Sequence, residues 1–329
     1  MLSILVTYYN QQQYVSRSLD SIFAQNITEP FEVLVGDDGS QDDTVKIVKE
    51  YQERFPDIIK LFVMPRDLSV KYSAVERASA NRLNLLQNCK GDYVCFLDGD
   101  DNYCNNEFMQ QSIDALKKDT KAVGVVHNYI EIFDDGTVKR HDNISKKNYI
   151  TSAQYTKSLY VHVGAIVFKQ LVDLATIDKL KKLKSFDDND ITQLYLNYGD
   201  LIYRNVDVYN YYQNDGSIWS SANDFEKNLI NAIDYEILKQ IITKNHIQLF
   251  YKYFHCVNYV YKNKKELVKT EYSKYHSQCV KQGLIDKLFN WHSLSLSKKS
   301  VITCKYFLKQ VLFFVLRVLN KIFKLVRGL

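Results

Sequence analysis

The sequence predicts an α/β fold, with a mostly parallel sheet flanked by helices and followed by a helical C-terminal region. Short apolar runs without polar alternation are typical of parallel strands that are buried on both faces. These runs alternate with amphipathic stretches of about 10–15 residues, which is the pattern of strand–helix units. The chain has 329 residues, 46% of them hydrophobic and 25% charged, and this composition is that of a globular protein with room for two domains.

The first 210 residues contain five predicted strands and four predicted helices. The strands are Leu2–Thr7, Phe31–Val35, Ile58–Val63, Tyr93–Leu97 and Ala122–Phe133. The helices are Gln11–Ala24, Asp43–Arg54, Ala74–Cys89 and Glu107–Lys118. Beyond residue 221 only helices are predicted, namely Phe225–Asn245, Ile247–Asn263, Lys265–Gln282 and Lys299–Leu329. We therefore expect a sheet domain over 1–218, a helical region over 219–297 and a basic amphipathic helix over 298–329.

An acidic pair follows the second predicted strand. Asp37 and Asp38 stand where the apolar run ends and precede Gly39 and Ser40. Open α/β sheets bind ligands at the carboxyl ends of their strands, where a carboxylate can accept a hydrogen bond from a base N–H or a ribose hydroxyl. Alternatively, Asp38 and Ser40 only shape the turn and cap the next helix.

Three acids within four positions follow the strand Tyr93–Leu97. Asp98, Asp100 and Asp101 would repel one another unless a cation neutralises them. Oxygen ligands select a hard ion, so the pattern predicts Mg²⁺ or Mn²⁺. The alternative is a polar strand exit, in which Asp101 or Asn102 caps the following helix.

Four motifs in order resemble the inverting glycosyltransferases of family 2, which have the GT-A fold. The motifs are Ile4–Asn10, Gly36–Ser40, Lys90–Tyr93 and Leu97–Asp101. Each motif is weak alone, but the four together are specific, and the resemblance covers about residues 1–215. It implies the transfer of a sugar from a nucleotide diphosphate, commonly UDP, to a hydroxyl of a saccharide or lipid-linked acceptor in surface polysaccharide synthesis.

The resemblance also implies roles for individual residues near the donor. It places Asp100 on a Mn²⁺ or Mg²⁺ ion and Asp98 on the ribose, and one of Arg77 and Arg82 on the pyrophosphate. The residues that it assigns to the nucleotide-sugar donor are Thr7, Tyr9, Asp37, Asp38, Arg77, Arg82, Asp98 and Asp100.

The segment Ser185–Ile191 resembles the part of the family that supplies the general base. The resemblance assigns that role to Asp188, with Asp190 as the second choice. An inverting displacement needs one carboxylate to take the proton of the attacking hydroxyl, which is consistent with this assignment. Alternatively, these acids only favour the start of a helix.

The closing segment departs from the family pattern. Tyr212 and Asn214 stand where Arg and His are often found, so a third protein ligand to the metal is in doubt. Trp219 could cover the donor or stack on a sugar, and a core position is the alternative. His162, on the predicted strand Tyr160–Phe168, could contact the acceptor, whereas an isolated strand histidine such as His127 is usually a core residue.

The C-terminal segment carries the positive charge of the chain. No Asp or Glu follows Asp286, whereas nine Lys or Arg do, and from Lys305 to Arg327 the basic residues fall on one side of a helical wheel. This pattern predicts a helix on an anionic membrane surface, with the protein cytoplasmic and peripheral on the inner face of the cell membrane. The alternatives are docking on the protein's own core or on the second copy of a homodimer. The opposite face of this helix is strongly apolar, which argues against binding to nucleic acid.

Two other functions compete with glycosyl transfer. One is a catalytically silent GT-A protein that binds sugar nucleotides or partners, as the altered Tyr212–Asn214 stretch would allow. The other is a nucleotidyltransferase, which would need a Gly-rich basic loop after the first strand, where the chain has Tyr8–Gln13. The sequence contains no Walker loop, HExxH, GxGxxG or GxSxG motif, which disfavours NTPases, metalloproteases, dehydrogenases and hydrolases.

Overall fold

The computed structural model describes residues 1–70, 72–155, 159–213 and 223–245, and scattered positions from 249 to 266. The chain divides into two compact units, Met1–Val257 and Asn258–Leu329. All strands and helices named below belong to the first unit. The predicted helices after residue 264, including the basic helix over 298–329, lie outside the described residues except for Glu266, and Asn214 and Trp219 lie outside them as well.

The first unit contains ten strands and eight helices within the described residues. The strands are β1 (Leu2–Tyr8), β2 (Phe31–Asp37), β3 (Ile59–Val63), β4 (Tyr93–Asp98), β5 (Asn102–Tyr103), β6 (Gly124–Phe133), β7 (Val138–His141), β8 (Tyr149–Ile150), β9 (Ile166–Lys169) and β10 (Leu201–Gln213). The helices are α1 (Val15–Phe23), α2 (Thr44–Arg54), α3 (Ala74–Asn88), α4 (Phe108–Lys118), α5 (Ser152–Tyr155), α6 (Leu174–Leu180), α7 (Asp188–Leu196) and α8 (Asp224–Ile241), and a 3₁₀ turn covers Val163–Ala165.

The strands form one mixed sheet in the order β3-β2-β1-β4-β9-β6-β10-β5, with β7 beside β6 and β8 beside β10. The pairs β3–β2, β2–β1, β1–β4 and β6–β10 are parallel. Strand β9 runs antiparallel to both of its neighbours, β4 and β6. The predicted α/β fold, with helices around a largely parallel sheet, is confirmed.

The five predicted strands and the four predicted helices of the first 210 residues are all present, with shifted ends. Helix α1 begins at Val15 instead of Gln11, and a turn precedes it, in which the Tyr14 N–H bonds the Gln11 carbonyl. The predicted strand Tyr160–Phe168 is wrong in its first half. His162 caps the 3₁₀ turn, and the strand starts only at Ile166.

The hydrophobic core lies on both faces of the sheet, as the unbroken apolar runs predict. Along β1, Ile4 and Val6 pack with α1, α2 and α4, whereas Leu5 faces the side covered by α3, α6, α7 and α8. The parallel register places Thr7 beside Gly36 of β2 and beside Asp98 of β4. The carboxyl ends of three strands therefore meet at one edge.

Helix α8 belongs to the same compact unit as the sheet, which covers Met1–Val257, and the domain boundary at 218 stays a prediction. Ile237 and Leu238 of α8 are buried in the core that also contains Leu194 of α7. Among the described residues, no helix combines the length and apolar character needed to cross a bilayer.

Candidate active site

A cleft of about 710 Å³ opens at the carboxyl ends of β1, β2 and β4. Its walls come from the acidic loop after β4, the start of α7, one face of α3 and the first turns of α8. The predicted site residues that line it are Thr7, Tyr9, Asp38, Arg82, Asp98, Asp100, His162 and Asp188. Asp37, Arg77 and Asp190 lie behind this lining. The roles assigned to all of these residues remain predictions.

Asp98 is held at the cleft by Arg82 and Thr7. The Arg82 guanidinium forms an ion pair with Asp98 Oδ1 at 2.8 Å, and the Thr7 hydroxyl donates to the same oxygen at 3.3 Å. Burial opposes the ionisation of Asp98, but the Arg82 guanidinium and the Thr7 hydroxyl outweigh it, so the pKa of this carboxyl lies below its ordinary value. The next residue, Gly99, has to be glycine because a Cβ there would collide with the buried ring of Tyr8.

Asp101 is buried under the end of β10. Its carboxylate accepts the Tyr209 hydroxyl at 2.7 Å and the Tyr212 backbone N–H at 2.8 Å. Burial, Asp100 and Asp98 together raise the pKa of Asp101 well above its ordinary value. The alternative reading of the sequence had Asp101 or Asn102 as a helix cap, but the structure ties Asp101 to residues 108 and 111 positions later.

The described residues include one cluster suited to a metal ion. It joins Asp98, Asp101 and His162, whose ligand atoms lie within 4.8 Å of one another. Asp101 is buried, whereas Asp98 is half-buried and paired with Arg82, and two carboxylates this close to each other fit a hard divalent cation. The prediction named Asp100 as the metal ligand. This residue lines the same cleft but is not one of the three that converge.

The histidine of this cluster fits the metal less well than the carboxylates do. His162 Nδ1 accepts the Gly164 backbone N–H at 3.2 Å, so the neutral ring carries its proton on Nε2. Nε2 lies 3.9 Å from Asp188 Oδ2. The ring would have to give up the Gly164 bond before it could bind a metal through Nε2.

Asp188 faces the cleft from the first turn of α7. The helix starts with a capping box, in which Asp187 accepts the Asp190 N–H and Asp190 accepts the Asp187 N–H. Asp188 therefore does not cap the helix. Its Oδ2 accepts hydrogen bonds from the Tyr160 hydroxyl at 2.7 Å and from the Val163 N–H at 3.3 Å. Asp190 points instead into the interior, where the Tyr253 hydroxyl bonds it.

The segment before Asp188 is fixed from two helices. Asp234 of α8 accepts the backbone N–H groups of Lys184 and Ser185 at 2.7 and 2.8 Å. The Ser79 hydroxyl of α3 accepts the Phe186 N–H at 2.8 Å, and Arg82 donates to the Phe186 carbonyl at 2.9 Å. Arg82 therefore connects Asp98 to the segment that leads into Asp188.

The opposite end of the cleft contains Asp38 between two arginines. Arg77 forms an ion pair with Asp38, and Arg66 lies 3.5 Å from the other carboxylate oxygen. Burial raises the pKa of Asp38, and the arginines offset only part of that rise. The Arg66 guanidinium also stacks 4.0 Å from the centroid of the Tyr9 ring, while its Nη1 is buried without a partner among the described residues.

Asp37 has a structural role in the same turn. Its carboxylate accepts the N–H groups of Gly39 and Ser40 at 2.9 and 2.8 Å and the Ser40 hydroxyl. The turn also needs Gly39, whose φ of +76° favours glycine. The structure thus divides the acidic pair, with Asp37 shaping the turn and Asp38 reaching the cleft.

Sequence reasoning missed four polar groups of this site. Arg66 and Asp234 act on partners far away in the chain, and Lys227 and Asn231 reach the cleft from α8. Only the α8 residues leave a trace in the sequence, because positions 227, 231 and 234 have the spacing of one helix face.

Comparisons of sequence and of structure relate this chain to known proteins. The sequence profile of Glycosyl transferase family 2 matches residues 3–173. The Escherichia coli chondroitin synthase is 32% identical over 36% of this chain and 16% of its own length. The GalNAc(5)-diNAcBac-PP-undecaprenol beta-1,3-glucosyltransferase of Campylobacter jejuni is 28% identical over 44% of this chain and 41% of its own. The chain thus spans less than half of the length of these relatives.

Among solved structures, S. aureus TarS 1–349 in complex with UDP-GlcNAc superposes with a TM-score of 0.58. The alignment covers 88% of this chain and 83% of that one at 16% identity. Such a likeness shows the fold alone.

Proposed function

This chain belongs to glycosyltransferase family 2, and on that premise we propose that it transfers a sugar from a nucleotide-diphosphate sugar to a hydroxyl acceptor with inversion. The observation that carries the proposal is the double contact of Arg82. One guanidinium bonds Asp98 on the donor side and the Phe186 carbonyl on the side of Asp188. An acidic loop for a diphosphate and a carboxylate base thereby share one cleft.

Asp188 has the surroundings that a general base needs. It lies in the cleft with two donors on one oxygen, Tyr160 and Val163, and its side chain is 13% exposed. Its exposed edge can accept the proton of an acceptor hydroxyl that attacks the anomeric carbon from the face opposite the nucleotide. The buried Asp190, which bonds Tyr253, cannot reach that hydroxyl, so Asp188 is the base in this proposal.

The donor is proposed to be a UDP-sugar. Uracil presents a carbonyl oxygen on each side of its N3–H. Asp38 offers a carboxylate oxygen for that N–H, and the unpartnered Arg66 Nη1 offers a donor for a neighbouring carbonyl oxygen. Tyr9, which stacks on Arg66, would cover the base. The TarS structures with UDP and UDP-GlcNAc show that this fold accepts such donors elsewhere.

A divalent cation, Mn²⁺ or Mg²⁺, is part of the proposal. Asp98 and Asp101 would hold it, with Asp100 in the same loop and His162 beside them. When bound, the ion supplies positive charge to the diphosphate leaving group. The protein contributes the ionised state of Asp98, which Arg82 maintains.

The acceptor is proposed to be a saccharide, free or lipid-linked, as in surface polysaccharide synthesis. The relatives' names support this class, since they include a chondroitin synthase and an undecaprenol-linked glucosyltransferase. The basic segment Lys305–Arg327 would hold the enzyme on the inner membrane face. Co-sedimentation of the full chain with anionic vesicles should disappear in a chain ending at residue 297, and equal binding by both would refute the anchor.

The decisive experiment is a panel of nucleotide sugars with Mn²⁺ and saccharide acceptors, read by release of nucleoside diphosphate. The proposal expects release for one donor and its loss in Asp188→Asn. Pyrophosphate release instead would indicate a nucleotidyltransferase. Donor binding without acceptor-dependent or hydrolytic release would indicate a silent binding protein.

A further inference from the structure

The charged groups that line the cleft are unequally partnered. Six acids and three basic side chains line it, and the basic ones are Arg66, Arg82 and Lys227. Arg66 pairs with Asp38 at 3.5 Å and Arg82 pairs with Asp98 at 2.8 Å. Lys227 has no carboxylate within salt-bridge distance among the residues that the structure describes. Among the described residues of the cleft lining, Lys227 is therefore the cation whose charge is available to a ligand.

The position of Lys227 is set by the face of α8 that it shares with Asn231 and Asp234. These residues lie at i, i+4 and i+7, so their side chains project in one direction. Asp234 anchors that face by accepting the N–H groups of Lys184 and Ser185. The Asn231 side chain donates to the Lys227 carbonyl at 2.8 Å. Lys227 thus lines the cleft from the helix face that also fixes the segment leading into Asp188.

The closing segment does not provide an equivalent charge at residue 212. Tyr212 stands where the family pattern often has Arg, and its ring lies 3.7 Å from the Arg17 guanidinium carbon. Arg17 in turn donates to the Asp100 carbonyl and is absent from the cleft lining. Among the described residues that line the cleft, the cation without a carboxylate partner is therefore the one on α8.

We propose that Lys227 binds a phosphate oxygen of the donor diphosphate. This inference rests on the proposed function. A lysine ammonium is a compact charge suited to phosphate, and in a cleft where acids outnumber Lys and Arg side chains six to three it would reduce the repulsion that a diphosphate meets. The phosphate of an anionic acceptor is the other source of the same chemistry, and the experiment separates the two.

The test measures the affinity of the full chain for UDP and for uridine by calorimetry with Mn²⁺ present. Lys227→Met keeps the length of the side chain and removes its charge. We expect UDP to bind about ten- to hundredfold more weakly to this variant, as for loss of one hydrogen bond to a charged group. Uridine, which has no phosphate, should bind as it does to the wild type. Lys227→Arg should recover most of the UDP affinity.

Lys239→Met is the matched control, because Lys239 lies on the same helix and pairs with Glu236 outside the cleft lining. Thermal melting would verify that all variants fold. Equal UDP affinity in Lys227→Met and wild type would overturn the inference, as would an unchanged UDP affinity with a raised KM for a phosphate-bearing acceptor. If the wild type itself bound neither UDP nor a UDP-sugar, the proposed donor would fail first and this inference with it.

Discussion

Replacing Asp234 by alanine should lower the free energy of unfolding of the first unit by more than most single substitutions do. The side chain is 1% exposed and accepts two backbone N–H groups, from Lys184 and Ser185. Alanine would leave both donors buried without an acceptor, at about 1–3 kcal/mol each. Burial raises the pKa of Asp234, so part of that loss is regained when the buried carboxyl is removed. We expect a net loss of about 2–4 kcal/mol in the free energy of unfolding.

Urea titration followed by circular dichroism measures this loss as a lower midpoint with an unchanged slope. Asp234→Asn retains one oxygen acceptor and should fall between alanine and wild type. The control is Asp178→Ala, because that side chain is 72% exposed and pairs only with the nearby Lys181 on the surface. Surface changes of this kind stay within about 0.5 kcal/mol. If Asp234→Ala matched this control, the claim that α8 anchors the segment before Asp188 would be wrong.

Four further outcomes follow from the site. Asp188→Asn should lower kcat about 10²–10⁴-fold at unchanged UDP affinity, since the amide oxygen still accepts from Tyr160; a loss under threefold in acceptor assays would exclude it as the base. Gly99→Ala should cost about 1–3 kcal/mol in urea titrations, because its Cβ meets the Tyr8 ring. Chelation with EDTA should weaken UDP binding and added Mn²⁺ should restore it, and unchanged calorimetric titrations would contradict the metal assignment. The free energy of unfolding of the wild type, compared with that of Asp190→Asn, should fall as the pH rises, by at most about 1.4 kcal/mol per pH unit. A difference between the two proteins that stayed constant in melts from pH 4 to 9 would refute the raised pKa of Asp190.

The sign of the last outcome follows from the raised pKa of Asp190. Burial, Asp187 and Asp234 keep this carboxyl protonated in the folded chain at pH values where the unfolded chain has lost the proton. The folded state therefore binds more protons between the ordinary carboxyl pKa and the raised one, and wild-type stability falls as pH rises through that window. Asparagine cannot titrate, so only the wild type shows this slope.

The parallel half of the sheet was predictable because its signal is local. Ile4, Leu5 and Val6 are apolar in succession, and this pattern alone indicates a strand covered on both faces. Strands β7 and β8 have four and two residues, too few for any period to show. Strand β9 was expected to begin near Tyr160, but the bond between the Gly164 N–H and His162 turns the chain into a 3₁₀ helix first.

The acids of the site were predictable as residues but not as a geometry. Their positions after strands place them at one edge of the sheet, whereas their partners lie elsewhere in the chain. Asp101 looked like a helix cap by its spacing, yet its bonds go to Tyr209 and Tyr212 on β10. Arg66 follows β3 in a segment without any motif, and only the fold brings it to Asp38.

Asp98 and Asp101 are neighbours in the cleft, but their surroundings shift their pKa values in opposite directions. Arg82 lowers the pKa of Asp98, whereas burial and the adjacent acids raise the pKa of Asp101. A cation between the two carboxylates would relieve the repulsion that raises the pKa of Asp101. It would not displace Arg82, which lowers the pKa of Asp98. Arg82 also bonds the Phe186 carbonyl, so the group that maintains the charge of Asp98 fixes the segment leading into Asp188. If Asp98 and Asp188 have the roles proposed above, donor binding and the position of the base depend on the same guanidinium, and loss of Arg82 should impair both together.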